Sequence, residues 1–291
     1  MALELSIVVP MHNEAGNVVR LAHEIAAVLA PGTFEVLLVD DGSSDATLAE
    51  ALRLRRAIPE LRVLGHTKRL GQSAAIWSGV RAARAAWIVT LDGDGQNDPA
   101  DIPELLKARS DAGDASVRLV VGHRTRRHDS AWRRVQSRIA NGVRRGLLGD
   151  RTPDTGCGLK LFARDTFLAL PSFTHMHRFL PALFLREGAR VISIPVGHRP
   201  RTVGRSKYAM LDRLGAGLVD LVGVLWLLRR GWPKAMVREL TSATAVELAD
   251  LTTESLDALG SLHGYRGLPY VPRRGASPRH RPRGRRAPLA H

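Results

Sequence analysis

Residues 86–99 read "AWIVTLDGDGQNDP": an apolar run that ends in three acids and two amides. The run is short, rich in β-branched residues and bounded by Gly and Pro, so it predicts a buried strand followed by a turn. The same sequence of events recurs. "LSIVVP" (5–10), "FEVLLVD" (34–40), "LRVLG" (61–65) and "VRLVVG" (117–122) read as further strands, and "ARVISIPV" (189–196) as a later one. Stretches near 17–30, 45–57, 71–85 and 100–112 have helical spacing. Strands alternating with helices predict an α/β fold: a mostly parallel sheet flanked by helices, with ligands collecting beyond the carboxyl ends of the strands. The polar loops fall at those ends, "MHNE", "DGSSD", "DGDGQNDP" and "HRTRR". Four such loops on one edge describe a single site.

Composition frames the function. The 291 residues carry a formal charge of +15, and residues 264–291 hold eight Arg with no acid, so about half of the surplus belongs to a Pro-, Gly- and Arg-rich tail that should be disordered. The arginines between 118 and 160 point to a local anion site. One cysteine, Cys157, excludes an intrachain disulfide framework and fits a reducing compartment. The amino-terminal "MALELSIVVP" has no basic region ahead of its apolar run, which argues against a signal peptide. The segment "LGAGLVDLVGVLWLL" (214–228) is shorter than the ~20 residues that span a bilayer and carries Asp220 in its middle. It reads either as an interfacial helix or as a buried terminal one. The expected organisation is a domain over 1–212, an amphipathic segment over 213–233, a helical appendage over 234–263 and the tail over 264–291.

The acids of 92–99 admit three readings. An EF-hand calcium loop fails, because Asn97 stands where the turn needs Gly and Pro103 where the last ligand should be Glu. Caps for the next helix suit Asp98 and Asp101 around Pro99. A two-carboxylate cradle for Mg2+ or Mn2+ suits Asp92 and Asp94, since such ions take few protein ligands and leave the rest to a phosphate. In "DDGSSDAT", Asp45 or Ser44 can cap a helix and Gly42 permits the turn, whereas Asp40 and Asp41 side by side need donors that a nucleoside would supply.

Taken in order, "VVPMHNE", "VDDGSSDAT", "LDGDGQNDP", "DTGCGLKLF" and "HRPRTVGRSKY" resemble the family 2 glycosyltransferases over roughly residues 3–231, in particular the branch of dolichyl-phosphate mannosyltransferases and bacterial polyprenyl-phosphate sugar transferases. The resemblance implies a GT-A (Rossmann-like) fold, a nucleotide-diphosphate sugar donor, a metal site at Asp92 and Asp94 with Gln96 as a further ligand, and inversion at the anomeric carbon. It further implies that Pro10, Asn13 and Glu14 contact the nucleotide, that Asp40 and Asp41 contact base and ribose, and that Arg69 and Gly71 line the nucleotide pocket. Glu14 read on its own is as well suited to a helix start. His12, where the family often has an aromatic, reads as a surface imidazole. Arg124 and Arg134, with Arg133 as alternative, match the positions for the acceptor phosphate. Arg201 and Lys207 would close over the phosphates, and Asp154 would orient an arginine or act as a base.

A lipid monophosphate is largely dianionic at neutral pH, its second pKa lying near ~6, and so attacks without a strong protein base. A saccharide hydroxyl acceptor would need a base, for which Asp154 is the one candidate. A different class, a scaffold binding anionic lipid or nucleic acid through the tail, lacks a base-stacking platform beyond Tyr265 and Tyr270, and specific nucleic-acid binding is not expected. The expected location is cytoplasmic, peripheral to the inner face of the cell membrane.

Overall fold

The computed structural model describes residues 3–124, 142, 146–200 and 210–230. The chain clusters into two units, Met1–Trp232 and Pro233–His291, and the described residues all belong to the first. The expected appendage (234–263) and tail (264–291) lie outside them.

Seven strands form one sheet: β1 (Leu5–Met11), β2 (Phe34–Asp40), β3 (Leu61–Gly65), β4 (Trp87–Thr90), β5 (Val117–Arg124), β6 (Lys160–Ala163) and β7 (Arg190–Val196). Their spatial order is β3-β2-β1-β4-β6-β5-β7. All pairings are parallel except the two made by β6, which runs against both β4 and β5. Because β6 alone is reversed, the carboxyl ends of the other six strands share one edge, as the sequence predicts.

Each strand reads as a continuous apolar run because both faces are covered. In β1, Ile7 and Val9 join one core and Val8 the other; in β2, Val36 and Leu38 oppose Leu37 and Val39 in the same way. The first core is closed by α1 (Val18–Val28) and α2 (Thr47–Leu54), with α4 (Ile102–Asp111) beside them; the second by α3 (Gln72–Ala82) and the pair α5 (Arg164–Leu168) and α6 (Leu180–Arg186). In α1 the buried residues Val18, Leu21, Ala22 and Ile25 keep helical spacing, so the pattern in the sequence is the packing face.

Two expectations are refined. "DTGCGLKLF" reads as a loop, yet its last part is β6, a central strand. Four residues flanked by neighbours on both sides show neither alternation nor length. The 214–228 segment lies in α7 (Met210–Arg229). On one side Val224 is buried, with Leu221, Leu225 and Leu228 packed on the second core. On the other, Val219, Val222 and Trp226 are 73%, 60% and 61% exposed. Thus the helix is both packed and apolar toward solvent. No helix among the described residues is long and apolar enough to cross a membrane.

Candidate active site

The carboxyl edge gathers three groups of side chains. At the ends of β1 and β2, Asn13 takes a left-handed backbone (φ 55°) and knits the two loops together. Its N–H donates to Ser43 Oγ (2.9 Å) and its Oδ1 accepts from Ser44 N–H (2.8 Å). Pro10 lies in β1 ahead of it. Glu14 turns to the start of α1, where its carboxylate accepts from the Asn17 side chain (2.9 Å), in line with the helix-start reading. Asp45 accepts from the Thr47 N–H (3.0 Å), as a cap should. His12 is half-buried, with Nδ1 3.0 Å from the Asp41 carbonyl oxygen.

Asp40 and Asp41 are both buried, and they differ. Asp41 takes donors from the protein itself: the N–H groups of Leu70 (2.8 Å) and Gly71 (2.7 Å), with His66 Nδ1 at 2.8 Å. It therefore fastens the loop that carries Arg69, an exposed residue, and Gly71, whose φ of 97° opens α3. Gly42 lets the two loops touch, since a Cβ there would stand 2.7 Å from the backbone of Lys68. Asp40 accepts from the Ser43 N–H (3.2 Å) through Oδ2, while Oδ1 is buried without a hydrogen-bond partner. An acceptor in that state suits a ligand N–H. Replacing Asp41 by Ala strips two backbone donors of their acceptor and should lower stability by about 2 kcal/mol in denaturant titration. Asp40→Asn should cost far less.

The second group surrounds Asp92. Its main-chain N–H donates to Asn97 Oδ1 (3.1 Å), and its Oδ1 accepts from Gln72 Nε2 (2.7 Å). Asp94 accepts from the Gln96 N–H (3.1 Å), and the Gln96 carbonyl accepts from the Arg199 N–H (2.9 Å). Burial, and then the charge of Asp94, push the Asp92 carboxyl up to about 6, against the pull of Lys160 and Arg124. Gly158 makes the cradle: any Cβ at that position would overlap the Asp92 carboxylate. A pair of hard oxygen donors with room kept beside them fits a divalent ion. Among the described residues no three His, Cys, Asp or Glu side chains converge, so such an ion would complete its shell from a ligand's phosphates and water. Asp98 caps as its reading predicts, whereas Asp101 stands at the start of α4 without a side-chain cap and is used elsewhere. Asp98 accepts from the Ala100 N–H (3.0 Å) and pairs with Arg199 (2.7 Å), and Asp101 accepts from the Gly197 N–H (2.8 Å).

The third group is the wall formed by β5, β6 and the turn before α6. Arg124, at the end of β5, makes a two-pronged pair with Asp154 (2.7 and 3.0 Å), which also accepts from the Gly156 N–H (3.2 Å). Asp154 thus orients an arginine, and a carboxylate so held is a poor base. Lys160 is buried; its ammonium donates to the Cys157 carbonyl, and burial holds its pKa below the ordinary lysine value. His177 Nδ1 lies 2.7 Å from Ser73 Oγ, and burial, followed by the charges of Lys160 and Arg178, pushes its pKa well below the ordinary value. A cavity of about 360 Å³ joins Asp92, Arg124, Asp154, Lys160, His177 and Arg178.

Of the residues predicted from sequence, Pro10, Asn13, Asp40, Asp41, Gly71, Asp92, Asp94, Arg124 and Asp154 all stand at this edge. Arg133, Arg134, Arg201 and Lys207 lie outside the described residues. Lys160, His177 and Arg178 were missed. A lysine opening the buried strand "KLFA" was the available signal for the first; the other two sit in "MHRFL", where nothing marks them.

The chain is 36% identical over 234 residues to a dodecaprenyl-phosphate galacturonate synthase of Rhizobium johnstonii, covering 78% of this chain and 68% of that protein. It is 35% identical over 226 residues to an undecaprenyl-phosphate 4-deoxy-4-formamido-L-arabinose transferase of Edwardsiella ictaluri, covering 76% and 67%. In solved structures the fold recurs in glucosyl-3-phosphoglycerate synthase of Mycobacterium tuberculosis (TM-score 0.58, 20% identity, 82% of this chain and 84% of that one). It recurs also in a mannosyltransferase of Pyrobaculum calidifontis crystallised with GDP-mannose and Mn2+ (TM-score 0.58, 20% identity, 91% and 82%). The family model for glycosyl transferase family 2 matches residues 6–170, the span that contains the Asp92–Asp94 cradle and the Arg124–Asp154 pair, and with those relatives it makes this chain a member of glycosyl transferase family 2.

Proposed function

We propose that the protein transfers a sugar from a nucleotide-diphosphate donor to a polyprenyl phosphate, with inversion at the anomeric carbon. The observation that carries this reading is the cavity in which Asp92 faces Arg124, Lys160 and Arg178, and in which the other lining carboxylate among the described residues, Asp154, is clamped by Arg124 and so is a poor base. An acceptor that brings its own negative charge fits such a wall; a neutral saccharide hydroxyl does not. The relatives' names, which include polyprenyl phosphates, support the same acceptor.

In this reading Asp40 receives a base N–H, while Asp41 shapes the pocket through the 66–71 loop. Asp92 and Asp94, with Gln96 beside them, would hold Mg2+ or Mn2+, which supplies neutralisation of the departing nucleoside diphosphate. Arg124, fixed by Asp154, presents an oriented charge to the phosphates, and Gln72 holds Asp92 in place. Arg134, Arg201 and Lys207 are proposed to add further charge. The work of these residues is to keep two mutually repelling anions in line. The apolar outer side of α7, ending in exposed Arg229 and Arg230, would rest on the membrane surface from the cytoplasmic side.

The experiment is transfer of label from a panel of nucleotide sugars, the uronate and aminopentose donors included, into the lipid phase with a short polyprenyl phosphate and Mn2+. Label in lipid from one donor supports the reading and names the sugar. Label appearing only in a saccharide acceptor would overturn it.

The raised Asp92 pKa gives a pH signature. The folded, ion-free protein binds a proton there between about 6 and the ordinary 3.8, whereas the unfolded chain does not. This group's contribution to stability therefore rises as pH falls through that window and is least favourable above about 6. A divalent ion competes with the proton, so its affinity should be full above about pH 6 and fall roughly tenfold per unit below. Calorimetric titration with Mn2+ at several pH values checks both signs.

A further inference from the structure

We propose that Arg178, assisted by His177, holds the phosphate of the acceptor; the assignment rests on the lipid-phosphate reading above. Two anions meet in this reaction, and the described cations divide unequally between them. Arg124 is matched by Asp154 in a two-pronged pair. Lys160 lies beside Asp92 and donates to the Cys157 carbonyl. Arg178 lines the same cavity, and among the described residues its guanidinium has no hydrogen bond or ion pair. A guanidinium left open in a cavity wall is built for a planar or tetrahedral oxyanion.

His177 supplies a second contact. Its main-chain N–H donates to Ser73 Oγ (3.3 Å), and that hydroxyl, 2.7 Å from Nδ1, has its own proton free to donate there. In that tautomer the ring proton sits on Nε2, which has no partner among the described residues, on a residue that lines the cavity. A neutral imidazole donor beside an arginine binds a phosphate without giving up a proton to it.

The position favours the acceptor over the donor. Three residues before Arg178, His175 adopts a left-handed backbone (φ 67°), and its Nδ1 lies 2.8 Å from Asp220 Oδ2 in α7. That helix bears the exposed Val219, Val222 and Trp226. One short segment, 175–178, therefore joins the apolar helix to the cavity wall. A ligand with an apolar tail and a phosphate head matches that pairing, whereas a nucleotide does not. The donor's diphosphate has its own place at Asp92 and Asp94.

The test uses the full chain and geranyl phosphate as probe, titrated by calorimetry into wild type, Arg178→Gln and Arg178→Lys, with a nucleoside diphosphate plus Mn2+ titrated in parallel. The proposal expects geranyl phosphate to bind roughly tenfold or more weakly to the Gln variant, with partial recovery by Lys and nucleotide affinity unchanged. Equal geranyl phosphate binding by all three proteins would overturn it, as would a loss confined to nucleotide. Binding is read whether or not sugar moves. Hence lipid-phosphate binding that depends on Arg178 without any transfer would sink the transferase reading and leave this assignment standing.

Discussion

Asp94→Asn is expected to lower transfer by roughly 10³-fold while leaving the protein folded. Asp94 sits on a turn whose main-chain contacts, through the Asn97 side chain and the Gln96 N–H, hold the loop at the end of β4. The amide can still accept from the Gln96 N–H, so the turn survives. What is lost is one of two negative charges facing a divalent ion. The raised pKa of Asp92 shows what the pair costs when no cation is present, since burial and Asp94's charge together disfavour ionisation. Removing Asp94's charge should bring the Asp92 carboxyl part of the way down, burial still holding it up, and should move the pH dependence of ion affinity to lower pH. Rate, ion affinity and pH profile thus move together in one variant. Unchanged transfer would remove Asp94 from the reaction.

Gly158→Ala should be nearly as damaging, for a different reason. The added methyl would occupy the space of the Asp92 carboxylate, and the strand that follows cannot back away. β6 is held on both sides, Thr90 opposite Lys160 in β4 and Val121 opposite Lys160 in β5. The carboxylate must therefore move. A displacement of about 1 Å at a reacting centre costs on the order of 10²-fold, so the loss should appear in kcat with a smaller change in melting temperature. Ala at Gly156 meets the Arg124 guanidinium at 3.2 Å, a side chain that can shift, and should be milder. Assaying the two variants side by side separates a specific cradle from a generally crowded loop.

Much of this fold is legible in the sequence because a sheet covered on both faces writes its strands as apolar runs ending in polar turns. β1 to β5 and β7, with α1 to α4, follow from that pattern. β6 does not, for its four residues carry no period and begin with a lysine. The error matters, because the reversal of β6 is what delivers Gly158 and Lys160 to the Asp92 carboxylate. Within the site, residue type located Asp92, Asp94 and Arg124, but not which contacts each one makes. Asp40 and Asp41 are neighbours of one kind; only the folded loops make Asp41 a fastener and leave an oxygen of Asp40 open. His177 and Arg178 sit in a turn between helices without any motif; His177 meets Ser73 across 104 residues, and His175, which opens the same segment, meets Asp220 across 45. No local pattern carries that information.

The turn after β4 is proposed to bind a nucleoside diphosphate through a divalent ion. The most direct test is calorimetric titration of UDP and GDP into wild type, Asp92→Asn and Asp94→Asn, each with Mn2+ and with chelator. The wild type should bind one nucleotide in a manner that requires Mn2+, and both variants should lose that binding. Nucleotide binding of equal strength with and without the ion, in all three proteins, would contradict it.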